Sequence, residues 1–327
     1  MSRILVLGTG GTIAGHSASA GSASYRSGQV EIADLLPNLA EAGIEGRIAS
    51  EQIANIGSQD MDAGVWRALH VRITGAFAAN EADAVVIAHG TDTLEETGFW
   101  LDLTLPAGRP VVLTGAMRPA NAIGGDGPRN LACALRVATD QASRDRGVLA
   151  VLGDGVFQAS DVYKSATEGT QAFRSHPRGR LATVTPGGLR YLAPPDPAPW
   201  RGCYHPARGP APRVAILMAH VDMDMTIVEA FLATELQGLV LAGVGHGNAP
   251  RPVLERLARA AADGLAVVRS SRIGAATVSR NTEVDDGAMG FVAGGPLNPA
   301  KCRILLQFLL AAPASDRVRM QAVFDRF

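Results

Sequence analysis

The sequence predicts an α/β protein with two domains. The larger, N-terminal domain is expected to have helices flanking a mostly parallel (mixed) sheet, and the smaller, C-terminal α/β domain a parallel sheet. Three observations support this. Short apolar runs alternate with helical patterns, a proline-rich stretch interrupts the alternation, and 327 residues with 47% hydrophobic side chains are enough for two hydrophobic cores.

The first domain is predicted to span residues 1–190. Four apolar runs predict its main strands, at residues 4–7, 84–88, 110–114 and 148–152. The first run is too short and too continuous for an amphipathic helix, which is typical of a buried parallel strand. Before the second run, Asp62 can cap a helix in which Leu69, Ile73 and Phe77 recur every four residues. This spacing predicts one buried stripe.

Residues 191–212 are predicted to be a linker, because their density of proline favours extended backbone. The second domain follows at residues 213–327. Its predicted strands lie at residues 214–218, 239–241 and 266–269, and its predicted helices at residues 226–236, at 252–262 and after Pro299.

Two threonines lie directly after predicted strands. Thr12 ends the segment GTGGT, and Thr91 lies in HGTDTLEET. The carboxyl ends of parallel strands are where α/β enzymes hold their chemistry. Thr93 and Glu96 fit a capping box, so a helix is expected to begin just after Thr91. The N-terminus of that helix would favour negative charge beside Thr91. An ordinary polar strand-to-helix turn remains the alternative on position alone.

Composition favours a small-molecule substrate over other partners. The 30 Lys and Arg residues balance 31 Asp and Glu without a basic stripe, so no nucleic-acid partner is predicted. The three cysteines and seven histidines are scattered, so neither a metal nor a disulfide framework is predicted. The glycine-rich turn has His16 where a phosphate loop needs lysine and Ile13 where a dinucleotide fingerprint needs glycine. No cofactor is expected.

No apolar run has the length of a membrane span, and the N-terminal apolar stretch is too short for a signal peptide. The expected compartment is the cytoplasm, or the periplasm if the chain is a processed form. Residues 15–29 are nearly all small or polar, with Tyr25 as the one aromatic. We expect them to form a mobile lid beside Thr12.

Seven segments together resemble the bacterial L-asparaginases of the threonine-nucleophile, two-domain family. The resemblance extends over essentially the whole chain. The segments are TGGTIA at 9–14, NIGSQDM at 55–61, HGTDT at 89–93, GAMRP at 115–119, DGP at 126–128, GVGHGN at 243–248 and VRSSR at 268–272.

The resemblance implies a nucleophile and its base. Thr12 is expected to attack the side-chain amide of L-asparagine, with Tyr25 as the base and Glu283 hydrogen-bonded to Tyr25. A threonine hydroxyl is a weak nucleophile at neutral pH and needs a proton acceptor within hydrogen-bond reach.

A second group implied by the resemblance is Thr91, Asp92 and Lys164, which supply a hydroxyl, a buried carboxylate and an ammonium. Lys164 accepts a proton for Thr91 or for a water if it is neutral, and stabilises negative charge if it is protonated. The Thr91 backbone N–H is expected to meet the oxyanion of the tetrahedral intermediate.

The resemblance also implies how substrate is bound. Ser58, Gln59 and Asp92 are expected to hold the α-amino and α-carboxylate groups. Asn248 and Glu283 are expected to reach the site from a neighbouring subunit, within a homotetramer built as a dimer of dimers. Gln59 and Asn248 resemble the asparagine-preferring members, so asparagine is predicted to be preferred over glutamine, with minor glutaminase activity. The competing hypothesis is a non-catalytic amino-acid binding or sensing protein of the same fold.

Overall fold

The computed structural model describes residues 2–19, 25–36, 44, 46–196, 198–206, 209–313 and 316–327. The chain divides into two compact units, Met1–His205 and Pro206–Phe327. The division falls inside the predicted linker. Not all of residues 191–212 are linker, however, because Tyr191 ends a strand and Trp200 is buried in the first unit, where its indole N–H donates to Asp102 Oδ2 at 3.2 Å.

The first unit contains a large mixed sheet. The strands in the described part of this unit are Arg3–Gly10 (β1), His16–Ser17 (β2), Tyr25–Arg26 (β3), Arg47–Ile56 (β4), Ala84–Ala88 (β5), Val111–Thr114 (β6), Val148–Leu152 (β7), Gly155–Gln158 (β8), Val162–Lys164 (β9), Phe173–Ser175 (β10), Ala182–Thr185 (β11) and Gly188–Tyr191 (β12). Eight of them form one sheet in the order β12-β11-β8-β7-β6-β5-β1-β4. The pairs from β4 to β7 are parallel and those from β7 to β12 antiparallel, which confirms the predicted mixed sheet.

A row of fully buried side chains crosses the parallel part of this sheet. Val6 pairs with Val86, Val86 with Val112, and Val112 with Leu149, and all four are 0% exposed. They belong to one core cluster together with the apolar face of the helix Gly127–Thr139. Every residue of β5, β6 and β7 is buried, so both faces of the sheet are covered, and continuous apolar runs form its central strands.

Among the described residues, the other α-helices of the first unit are Ile32–Leu35 (α1), Ala63–Ala78 (α2) and Leu94–Thr104 (α3), which makes Gly127–Thr139 α4. As predicted, Asp62 caps α2 by accepting the Val65 N–H at 2.9 Å, and Leu69 and Ile73 are buried. The third predicted residue of the stripe, Phe77, is only partly buried and packs under the Arg109 guanidinium.

The Thr93 side chain does not make its half of the capping box predicted for α3. Thr93 is the N-cap residue, but its side chain makes no capping hydrogen bond. Its hydroxyl instead donates to the Ser58 carbonyl at 2.7 Å. The Thr93 hydroxyl oxygen accepts no backbone N–H of its own helix, and the bond to Ser58 ties the start of α3 to the turn after β4.

The second unit has a four-stranded, all-parallel sheet, as predicted. Its strands pair in chain order and are Val214–Met218 (β13), Gly238–Gly243 (β14), Ala266–Ser271 (β15) and Val292–Ala293 (β16). Its helices are Met225–Leu232 (α5), Arg251–Ala262 (α6), Asp286–Met289 (α7), Pro299–Ala311 (α8) and Arg317–Phe324 (α9). The predicted helix at 226–236 is shorter in the structure because it ends at Leu232.

Candidate active site

Three predicted site residues follow three neighbouring parallel strands. β1 lies between β4 and β5 and is parallel to both. Ser58 follows β4, Thr12 follows β1 and Thr91 follows β5, so all three lie at the same edge of the sheet. Each is at most 8% exposed.

Glycines allow the turns at this edge to approach closely. Gly11 has a φ of +79°, and a Cβ built on it would lie 2.3 Å from Gly90 Cα. A Cβ on Gly90 would lie 2.6 Å from Ser58 Oγ. Real Cβ atoms essentially never come this close, so a side chain at either position would force the turns that carry Thr12, Ser58 and Thr91 apart.

Thr12 is hydrogen-bonded to Tyr25. The two oxygens, Thr12 Oγ1 and Tyr25 Oη, are 2.8 Å apart, and either can donate. Tyr25 lies in the two-residue strand β3, which pairs with β2, and it remains 40% exposed. Of the predicted lid at residues 15–29, residues 20–24 lie outside the described part of the chain.

Lys164 joins the Thr91 side of the site. Its Nζ donates to Thr91 Oγ1 at 2.9 Å and to Asp92 Oδ1 at 2.5 Å. The prediction of a buried carboxylate at Asp92 is wrong, because the Asp92 side chain is 62% exposed. In the turn after β5 the Thr91 side chain takes the buried position, which leaves Asp92 facing solvent. The ion pair alone therefore contributes little, about 0–1 kcal/mol.

Glu95 holds the backbone of Lys164. Its Oε2 accepts the Lys164 N–H at 2.6 Å from the first turn of α3. Lys164 also pairs with Phe173 in the β9–β10 hairpin. The sequence did not predict this role. Glu95 lies within the HGTDTLEET segment, whose pattern predicts only the start of a helix.

A chain of hydrogen bonds, in which His89 and Thr97 are fully buried, leads from Trp66 to the Gly90 carbonyl. The His89 Nδ1 lies 2.7 Å from the Gly90 carbonyl oxygen, and its Nε2 lies 2.9 Å from Thr97 Oγ1. The Trp66 indole N–H donates to the same Thr97 oxygen at 2.8 Å. His89 is fully buried, and this desolvation lowers its pKa to about 4. The ring is therefore neutral at physiological pH.

The two residues predicted to hold the substrate backbone differ in exposure. Ser58 is 4% exposed and packs beside Gly90. Gln59 is exposed, and its amide donates to Asp60 Oδ2 at 3.2 Å. The structure thus brings Ser58 to the strand-end turns and leaves the Gln59 side chain on the surface.

In the second unit, Asn248 and Glu283 are in contact. The Asn248 amide donates to Glu283 Oε2 at 3.2 Å. A fully buried ion pair connects the segments that carry these two residues. Arg269 donates to Asp286 Oδ1 at 2.5 Å, on the segment of Glu283, and also to the carbonyl of Gly247, next to Asn248. The partner seen for Glu283 is thus Asn248, and its predicted bond to Tyr25 stays a prediction.

Neither a metal site nor a membrane span emerges from the part of the chain that the structure describes. No three His, Cys, Asp or Glu side chains within it are grouped so as to hold a metal ion. None of the helices found there is both long and apolar enough to cross a membrane.

Comparison with known proteins decides the family. Residues 3–197 match the family model "Asparaginase, N-terminal", and residues 213–324 match "Glutaminase/Asparaginase C-terminal domain". The chain belongs to the asparaginase family. The asparaginase N-terminal match contains Thr12, Tyr25, Thr91 and Lys164, and the C-terminal match contains Asn248 and Glu283.

Individual asparaginases align with almost the whole chain. A probable periplasmic L-asparaginase of Haemophilus influenzae is 40% identical over 99% of this chain and 93% of its own length. L-asparaginase 2 of Escherichia coli is 38% identical with the same two coverages. The crystal structure of a probable cytoplasmic L-asparaginase from Campylobacter jejuni is 34% identical, covers 100% of both chains and superposes with a TM-score of 0.91.

Proposed function

We propose that this chain is an L-asparaginase that hydrolyses the side-chain amide of L-asparagine to L-aspartate and ammonia. The observation that carries the proposal is the pair of buried threonine hydroxyls at adjacent strand ends, each bonded to a group that can exchange a proton: Thr12 with Tyr25 and Thr91 with Lys164. A site built only for binding has no need of either arrangement. Membership of the asparaginase family supports the same reaction.

Thr12 is the proposed nucleophile. Its Oγ1 attacks the amide carbon and its proton passes to Tyr25 Oη across the 2.8 Å contact. A neutral tyrosine can accept that proton only if it releases its own, and the Glu283 carboxylate of a neighbouring copy is the proposed acceptor. The proton taken from Thr12 is then returned to the amide nitrogen, which leaves as ammonia, and an acyl ester on Thr12 remains.

The Thr91 group is proposed to stabilise charge and to activate water. The Thr91 backbone N–H donates to the oxyanion of each tetrahedral intermediate. In the second step a water attacks the acyl ester, and the proton that the water releases is passed to the leaving Thr12 oxygen. The contacts of the Lys164 Nζ with Thr91 Oγ1 and Asp92 Oδ1 support a role for these three groups in that proton transfer.

Substrate is proposed to be held by its α-groups. Asp92 is 62% exposed, so its carboxylate is open to a substrate ammonium. Ser58 and Gln59 supply neutral donors for the α-carboxylate, and Asn248 of a neighbouring copy completes the contacts. Asparagine is preferred with minor glutaminase activity, because one methylene is worth only about 1–3 kcal/mol of discrimination.

Ammonia release from L-asparagine and L-glutamine tests the reaction. Thr12→Ala and Thr91→Val should each abolish release from asparagine. Thr104→Val is the matched control, because Thr104 is also 4% exposed and lies at the far end of α3 from Thr91. Activity in Thr12→Ala would exclude Thr12 as the nucleophile. Tight binding of asparagine without ammonia release by the parent protein would favour the amino-acid sensor.

The proposed homotetramer, a dimer of dimers with shared sites, can be tested by complementation. Thr12→Ala and Glu283→Ala chains should each be inactive alone. Mixed and reassembled, they should regain activity, because a hybrid site takes Thr12 from one chain and Glu283 from the other. No recovery in hybrids whose assembly is verified by mass would show that each chain supplies both residues. The compartment, proposed as the cytoplasm or, for a processed form, the periplasm, is tested by cell fractionation.

A further inference from the structure

The hydrogen-bond chain behind the site has one direction. The Gly90 carbonyl can only accept, so His89 Nδ1 carries the proton of the neutral ring and donates it. His89 Nε2 is then an acceptor for the Thr97 hydroxyl proton. The Trp66 indole N–H, a donor only, supplies the bond that Thr97 Oγ1 accepts. Every bond thus points from Trp66 towards the Gly90 carbonyl.

The end of this chain is the peptide that contains the proposed oxyanion donor. The Gly90 carbonyl and the Thr91 N–H belong to the same peptide unit, on opposite sides of one C–N bond. Among the described residues, no acceptor is hydrogen-bonded to the Thr91 N–H. A hydrogen bond to the carbonyl of a peptide polarises the unit and strengthens its N–H as a donor, and aligned bonds reinforce one another.

The residues on both sides of this peptide are closely packed. A Cβ on Gly115 would lie 2.5 Å from the His89 carbonyl oxygen and 3.0 Å from Thr91 Cγ2. On the other side, Gly90 is in close contact with Ser58 and Gly11. The peptide is thus held in one orientation before substrate arrives, which is the condition for effective electrostatic stabilisation of an oxyanion.

We propose that His89 is a positioning residue that orients and polarises the Gly90–Thr91 peptide, with Thr97 and Trp66 as the supports that fix its tautomer. The inference rests on the proposed asparaginase reaction and extends it. His89 touches no substrate. It acts on the transition state through the Thr91 N–H, so its loss should lower kcat and leave KM nearly unchanged.

Thr97→Val tests the hydrogen-bond chain without removing the His89 imidazole, because valine keeps the shape of threonine and lacks the hydroxyl. We expect kcat for L-asparagine to fall about tenfold, less than the 10²–10³ expected for loss of an oxyanion donor, with KM within about twofold of the parent value. Thr97→Ser keeps the oxygen and should restore kcat. His89→Phe, which lacks the Nδ1 donor, should lower kcat further than Thr97→Val if the variant folds.

The matched control is Thr104→Val on the same helix. Thr104 is also buried and its hydroxyl also contacts a histidine, with Thr104 Oγ1 3.3 Å from His70 Nδ1, but that pair does not contact Gly90. Its kcat should stay within about twofold of the parent. Equal kcat values for Thr97→Val and Thr104→Val, or a raised KM with unchanged kcat in Thr97→Val, would overturn the inference.

The tautomer can be measured separately from activity. NMR of ¹⁵N-histidine-labelled protein, with the His89 signals assigned by their loss in His89→Phe, should show the proton on Nδ1 at neutral pH. A proton on Nε2 would overturn the inference even if the enzyme is active. Absence of ammonia release by the parent protein would instead remove the proposed function and this inference with it, so the two failures are distinguishable.

Discussion

The two threonine groups of the site are built differently. Lys164 reaches Thr91 from 73 residues along the chain and is held by its backbone bond to Glu95 and by a hairpin. Tyr25 reaches Thr12 from 13 residues away, lies in a two-residue strand and is 40% exposed. The Thr91 group is therefore assembled by the fold, whereas the Thr12 group depends on a short local element and on the proposed contribution of a neighbouring copy.

The largest expected effect is on the Thr91 group, whose partner Lys164 has a side chain only 17% exposed. Lys164→Met removes the ammonium that contacts both Thr91 and Asp92. We expect kcat/KM for L-asparagine to fall about a thousandfold, or about 4 kcal/mol of transition-state stabilisation. The control is Arg174→Met, which removes an exposed cation from the same hairpin. Similar losses in both variants would mean that general charge around the hairpin, and not Lys164 itself, is responsible.

The next effect is on stability and also belongs to the Thr91 side. Burial lowers the pKa of His89 from 6.5 to about 4. Between these values the unfolded chain binds a proton at this residue and the folded chain does not, so stability falls as pH is lowered from about 6.5 to about 4 and is insensitive to this group above 6.5. The shift corresponds to about 3 kcal/mol.

Chemical unfolding at pH 7 and pH 4, at one fixed protein concentration, measures this effect. The difference in unfolding free energy between the two pH values should be smaller in His89→Gln than in the parent by about 3 kcal/mol. The pKa of His70 is also lowered by burial, so some pH dependence should persist in the variant. An unchanged difference would show that the His89 ring is not buried in its neutral form.

A smaller loss of activity is expected on the Thr12 side. Tyr25→Phe keeps the ring against Gly15, where a Cβ would lie 3.0 Å from Tyr25 Cδ2, and removes the hydroxyl. We expect kcat to fall about a hundredfold, less than for Lys164→Met, because an exposed position admits water as a weak substitute. Tyr191→Phe is the control, since its hydroxyl likewise bonds a hydroxyl, Ser143 Oγ, at 2.7 Å. A loss for Tyr25→Phe larger than that for Lys164→Met would reverse the order of the two groups.

The same contrast explains what could be predicted from sequence. The apolar run before Thr91 lies within the buried strand Ala84–Ala88, and this placed Thr91 at a strand end. The partner of Thr91 is 73 residues away, a separation that no periodicity encodes, so Lys164 was found only through the family resemblance. Local reasoning failed where tertiary contacts compete with it, as at Thr93, whose hydroxyl bonds the Ser58 carbonyl and not its own helix.

Exposure was the second point that the sequence could not decide. Thr91 and Asp92 are adjacent, yet one is 4% exposed and the other, by its side chain, 62%. Which of two neighbouring turn residues faces the core depends on the packing of Gly11, Gly90 and Ser58. Glycines in the motifs were predictable as turn residues, but the need for glycine at these positions arises from close approach between turns that are far apart in sequence.

The smallest expected effect tests whether the fold itself holds Lys164 in place. Glu95→Ala removes the acceptor of the Lys164 N–H, while the ammonium and both of its contacts remain chemically possible. We expect kcat to fall about tenfold, because a small displacement of a catalytic group reduces the fraction of productive geometries. Glu81→Ala is the control, since it also removes a carboxylate of the first unit, one that pairs with Arg72 away from the site. Equal activity in the two variants would show that the hairpin alone positions Lys164, and the Thr91 group would then be no better anchored than the strand that carries Tyr25.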